Sequence, residues 1–138
     1  MKPVFQTRFG GSDSLAEEQG NCLAACLASI FELTLDEVPD PIMDEGAEWF
    51  REIQDWLRER NLWIVALEGV FAYEHAAYTI LSCKSTVLPG EKHVVVAYNG
   101  EVVHDPSPRA KSVGEIEQTW VFAVLNPASA ILLTKEPG

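Results

Sequence analysis

From Cys22 to Phe31 the chain runs Cys-Leu-Ala-Ala-Cys-Leu-Ala-Ser-Ile-Phe, apolar almost all the way round a helical wheel. A helix with so little polar face belongs in the middle of a domain. Asn21 stands where an N-cap is expected, so a buried helix is predicted from about Cys22 to Glu32. The spacing of Thr34 and Glu37 is that of a capping box, which predicts one short helical turn before the breaker Pro39-Asp40-Pro41. Between Asp44 and Arg60 the apolar residues Trp49, Phe50, Ile53, Trp56 and Leu57 form one stripe at helical period, and Asn61 is the expected stop. After residue 61 the pattern becomes strand-like. Strands are predicted at Leu62–Leu67, Tyr78–Cys83, His93–Tyr98, Glu101–His104, Trp120–Leu125 and Ala130–Thr134. Asn99-Gly100 is a strong hairpin signal. Residues 1–8 look extended, residues 10–20 read as a loop, and 68–77 carry no clear pattern. The Lys84–Lys92 connection, with Pro89-Gly90, reads as a surface loop. Helices first and strands afterwards predict an α+β domain with a mostly antiparallel sheet.

Length and charge narrow the picture. A chain of 138 residues with 47% hydrophobic positions is expected to be one domain, residues 1–138, with a real core. No apolar run approaches the roughly 20 residues that span a bilayer, and nothing at the N-terminus resembles an export signal. Twenty-one acids face 10 bases, for a net charge of −11. Binding a phosphate backbone requires clustered Lys and Arg, so neither nucleic acid nor an anionic membrane is expected as a partner. The acidic stretch 32–60, with ten acids and three bases, would suit a basic target. The absence of a Walker or Rossmann glycine loop argues against nucleotide binding. Acids grouped on a helix rather than at strand ends argue against a glycosidase.

There are three cysteines, Cys22, Cys26 and Cys83. An odd number without an export signal indicates a reducing, cytoplasmic setting. No second pair of ligands accompanies Cys22 and Cys26, so no metal and no cofactor are expected. Cys22 directly follows a helix N-cap. There the unpaired N–H groups and the positive end of the macrodipole favour a thiolate and can hold an oxyanion. Cys26, one turn deeper, and Cys83 read as buried hydrophobes. A thiol nucleophile needs a base, and the base an orienting acceptor. His93 opens one strand, and Asp105 follows the next. His75 has no assigned role. A two-residue hairpin loop would put His93 opposite Pro106, with Asp105 on the other face. A three-residue loop Tyr98-Asn99-Gly100 would put His93 directly opposite Asp105, within reach of it. The sequence leaves both registers open. Singly, each residue also has a structural explanation: Cys22 as a buried thiol, His93 as a strand-end histidine, Asp105 as a turn residue.

In chain order, a helix-capped Cys, a His at a strand start and an Asp-Pro step resemble the papain-like cysteine peptidase superfamily. The likeness is closest to the small bacteriocin-processing peptidase domains of ABC transporters. It rests on Asn21-Cys22-Leu-Ala-Ala-Cys-Leu-Ala-Ser-Ile30, on Lys92-His93-Val94-Val95-Val96 and on Asp105-Pro106, spread over about residues 6–125. Lys92 stands where that family has Gly, and Val94 where it has an aromatic residue. The resemblance implies a papain-like fold, with N-terminal helices packed on the sheet. It implies Cys22 as nucleophile, His93 as general base and Asp105 as the group that orients it. It also implies a Gln whose amide completes the oxyanion hole. Gln6 and Gln19 are the candidates. Gln6 is preferred, because three residues are a short span for Gln19 to turn back over the thiol.

The expected activity is therefore thiol hydrolysis or acyl transfer on a peptide or isopeptide bond, with a peptide or protein as substrate. The alternative is a non-catalytic papain-like module that binds another protein through its acidic surface.

Overall fold

Helix α1 (Cys22–Phe31) is buried along its whole length, as its composition requires. In the computed structural model, which describes residues 1–11, 14–15, 19–43, 46–69 and 76–137, it lies against the middle of the domain. Leu23, Leu27 and Ile30 are nearly or wholly inaccessible, and each such side chain contributes about 2 kcal/mol on leaving water. Glu32, in the left-handed region at φ 56°, ends the helix. Its carboxylate gathers the N-terminal ammonium, Lys2 and Lys135. A 3-10 turn at Leu35–Glu37 follows, carrying the expected capping box. Helix α2 (Glu48–Arg58) is shorter than the periodicity predicts, and Asp44 and Glu45 lie outside the described residues. Its stripe points inward: Ile53 and Leu57 are buried, with Trp49, Phe50 and Trp56 packed against the same core. Asn61, at φ 59°, closes the following turn.

The strands are β1 (Leu62–Glu68), β2 (Tyr78–Lys84), β3 (Lys92–Tyr98), β4 (Glu101–His104) and β5 (Ile116–Val124). They form one sheet in the order β1-β5-β2-β3-β4, every neighbouring pair antiparallel. Helix α1 packs on β3 and α2 on β1. The architecture is thus α+β, helices against an antiparallel sheet. Among the described residues no helix is long and apolar enough to cross a membrane.

Three expectations about the strands need correction. Ala130–Thr134 is not a strand. Asn126 caps a 3-10 turn at Pro127–Ala130 by accepting from the Ala128 N–H (3.1 Å), and the chain continues into the short helix α3 (Ile131–Thr134). A short apolar run fits either element, and here the Asn-Pro start decides it. Strand β5 begins at Ile116, four residues before Trp120. Its polar opening is satisfied sideways, Gln118 donating to Glu68 (2.7 Å) and Lys92 lying 3.5 Å from Glu117. The β3–β4 hairpin follows neither register considered. Its turn is the two-residue one, with Asn99 and Gly100 both at positive φ, but a bulge between Val96 and Ala97 shifts the pairing to Val96–His104.

The N-terminal segment joins no strand. It is strapped along α1 instead: the Lys2 N–H donates to the Ser29 carbonyl (3.0 Å) and the Val4 N–H to Ser29 Oγ (2.9 Å). His104 Nε2 donates to the Val4 carbonyl (2.7 Å), and the Gln6 N–H to the Pro106 carbonyl (2.9 Å). This strap brings Gln6 to the end of the sheet where β3 begins.

Candidate active site

Cys22 is the first residue of α1 and keeps 7% of its surface accessible. It opens onto a cleft of about 600 Å³ that is also lined by Gln6, Gln19, Trp49, His93 and Trp120. The helix start differs from expectation in one respect. Asn21 occupies the N-cap position, but its side chain does not cap the helix. Its Oδ1 accepts instead from the N–H groups of Thr7 (2.9 Å) and Arg8 (3.0 Å), and its Nδ2 donates to Thr7 Oγ1 (3.0 Å). The sequence names the right residue for the wrong contact, because Asn is equally good at receiving a distant backbone. The first-turn N–H groups of α1, at the positive end of its dipole, are left without a side-chain cap.

His93 is the second residue of β3, paired with Cys83 of β2. Its Nε2–H donates to Asp105 Oδ1 at 2.7 Å. His93 and Cys22 line the same cleft, and Nδ1 is the ring nitrogen that Asp105 leaves free. Asp105, just beyond β4, accepts a second bond from the Ser107 N–H at 2.9 Å, an Asx turn that fixes its carboxylate. Burial disfavours a charged imidazole, yet the hydrogen bond to Asp105 and the neighbouring Cys22 outweigh it and raise the His93 pKa from 6.5 to about 9. Burial likewise pushes the Asp105 pKa up, but His93 and the Ser107 N–H more than compensate and hold it below its ordinary value. At neutral pH the ring and carboxylate form a charged, hydrogen-bonded pair.

No family model, curated protein or solved structure matches this chain.

Both glutamine candidates reach the cleft lining. Gln6 is 8% exposed, its Nε2 donates to the Arg8 carbonyl (3.0 Å), and among the described residues its buried Oε1 has no partner. Gln19 turns its Nε2 to the Ser14 carbonyl (3.1 Å). Gln6 is tied by its backbone to Pro106, next to Asp105, so it belongs to the same cluster as the Cys–His–Asp set. The other two thiols are of a different kind. Burial raises Cys26 well above the ordinary thiol value and Cys83 to about 11. Each donates weakly to a β3 carbonyl, Cys26 to Val94 (3.6 Å) and Cys83 to His93 (3.4 Å).

Several contributors are not evident in the sequence pattern. Ser107 could have been found, since Asp-Pro-Ser is an Asx-turn sequence. Trp49 and Trp120, 5.8 Å apart, form an apolar wall of the cleft, yet their spacing shows only core residues. The ionisable groups in the described lining, besides Cys22, are Glu91, Lys92 and His93, while Glu48, Glu52, Asp55 and Glu59 of and beside α2 are exposed outside it. Among the described residues no group of three or more His, Cys, Asp or Glu could hold a metal ion. His75 lies outside the described residues.

Proposed function

We propose that the chain is a papain-like thiol hydrolase acting on a peptide or isopeptide carbonyl, with Cys22 as nucleophile, His93 as base and acid, and Asp105 as the orienting group. The observation that carries this reading is the His93–Asp105 hydrogen bond beside a cysteine at an uncapped helix N-terminus, with Cys22 and His93 lining one cleft.

The reactive form is the ion pair in which the thiol proton already sits on His93, a Cys22 thiolate beside an imidazolium. The thiolate attacks the carbonyl carbon and the carbonyl π pair moves to oxygen. In this reading the first-turn N–H groups of α1 and the Gln6 amide supply the donors for that oxyanion. As the intermediate collapses, the C–N bond breaks and the imidazolium proton goes to the departing amine. A thioester on Cys22 remains. Water, deprotonated by His93, then attacks the thioester and releases the acid and the free thiol. Asp105 keeps its charge throughout and holds the ring. The raised pKa of His93 supports this order of events, since the ring carries the proton needed by the leaving group.

The test is site-resolved alkylation by iodoacetamide over a pH series, read by mass spectrometry on the native protein and on His93→Ala. Cys22 is expected to be alkylated in the native fold, and at least about tenfold more slowly in the variant. Cys26 and Cys83 serve as internal controls and stay unmodified. A folded protein whose Cys22 is inert would overturn the hydrolase reading and leave the binding module as the better account.

A further inference from the structure

Asn21 has no place in the chemistry just described, yet it is buried at the junction of the nucleophile helix and the N-terminal strap. Its Oδ1 fixes the Arg8 N–H, and the Arg8 carbonyl in turn receives the Gln6 Nε2. A glutamine amide nitrogen carries two hydrogens. With one on Arg8, the plane of the carboxamide is set, and among the described residues no acceptor takes the other. Gln6 lines the cleft beside Cys22. The opposite assignment of the amide would set Oε1 against the Arg8 carbonyl, two acceptors face to face.

We infer that Asn21 is a positioning residue of the oxyanion site: through the Arg8 carbonyl it aims the Gln6 amide at the carbonyl oxygen of a substrate on Cys22. The inference rests on the hydrolase reading above and adds a residue to it. A side chain turned inward to cap α1 would hold the helix equally well, but would release Arg8. The residue before the nucleophile therefore couples two halves of the site that are far apart in sequence, the Gln6 strap and the α1 N-terminus.

Two reactions of Cys22 separate this role from a structural one. Iodoacetamide reports the thiolate alone, because its displacement of iodide forms no oxyanion. p-Nitrophenyl acetate is attacked at its carbonyl, forms an oxyanion, and expels p-nitrophenolate without needing a proton, leaving an acetyl thioester on Cys22. The ratio of acylation to alkylation rates thus reads the oxyanion site. Loss of one such donor costs about 10²–10³ in rate, so Gln6→Ala should lower the ratio by about that much and Asn21→Ala by about tenfold or more. The double variant should fall no more than about twofold below Gln6→Ala, because Asn21 acts through Gln6. Asn21→Asp keeps both acceptor contacts and should stay within about threefold of wild type. Asn21→Ser can cap α1 by itself and so preserve the fold, and it stands in if the alanine variant unfolds; its ratio too must fall by about tenfold. A ratio unchanged in Asn21→Ala or Asn21→Ser, or losses that multiply in the double variant, would overturn the inference while leaving the hydrolase reading intact. A wild-type Cys22 that neither alkylates nor acylates would overturn both.

Discussion

Replacing Asp105 by Asn removes a charge while keeping the shape that accepts from His93 and Ser107. In the native protein the imidazole, its side chain 13% exposed, has its pKa raised from 6.5 to about 9 against the opposing effect of burial. That displacement corresponds to at most about 3 kcal/mol favouring the charged ring in the folded state. The folded value lies above the unfolded one, so this stability is present in full below about pH 6.5 and disappears as pH rises through about 9. Of the contacts that raise it, the hydrogen bond to Asp105 stands first. In Asp105→Asn the His93 pKa should fall by more than one unit, and stability near pH 6 should drop by more than about 1 kcal/mol beyond any loss near pH 10. Proton NMR titration of the histidine Cε1–H resonances gives the pKa, with His93→Gln to assign the signal. Urea unfolding at the two pH values gives the stability, and subtracting variant from wild type cancels groups that titrate in both. A His93 that titrates near 6.5 in the native protein, or that remains near 9 in the variant, would refute the charged-pair reasoning.

Ser29 is wholly buried, donates to the Ala25 carbonyl (2.7 Å) and accepts from the Val4 N–H. Ser29→Ala leaves that N–H unpaired under the strap and should cost about 1–2 kcal/mol in urea unfolding, with faster amide exchange at Val4. An unchanged exchange rate would show that the strap does not depend on this bond. Glycines near the site should separate by what a new Cβ meets. At Gly114 it would stand 2.0 Å from the Lys84 carbonyl oxygen, so Gly114→Ala should destabilise by about 2 kcal/mol or more. At Gly11 it would meet only the Glu91 carboxylate at 2.9 Å, a movable side chain, so Gly11→Ala should cost less than about 0.5 kcal/mol. Equal melting temperatures for the two variants would contradict this ordering.

What the sequence discloses is governed by range. The apolar run of α1, the Thr34–Glu37 capping box and the Asn99-Gly100 turn are each settled by residues within a few positions, and each is found where the pattern puts it. The Ile131–Thr134 helix follows a local signal too, the Asn126-Pro127 start, but its short apolar run fits a strand as well; the early start of β5 depends on partners elsewhere, Glu68 and Lys92 receiving its polar residues. Asn21 fails for the same reason. Its local preference for capping is real, but the Thr7 and Arg8 N–H groups, brought in by the strap, outbid the helix for its side chain.

The site itself turns on a single extra residue. A two-residue turn run straight down the hairpin would pair Val96 with Val103, placing Asp105 on the sheet face away from His93. The bulge moves the pairing at Val96 to His104 and so reverses the facing of every residue after it in the chain. Asp105 thereby reaches the side of the sheet on which His93 can bond it. His104 turns to the opposite side, where it holds the Val4 carbonyl and packs edge-on to Phe5. One bulge thus serves both ends of the cluster: it supplies the imidazole with its carboxylate and clamps the strap that carries Gln6. Hairpin signals fix the turn, but a bulge is chosen by whether the residues beyond it find partners. Here those partners are one histidine on the adjacent strand and one carbonyl a hundred residues earlier in the chain.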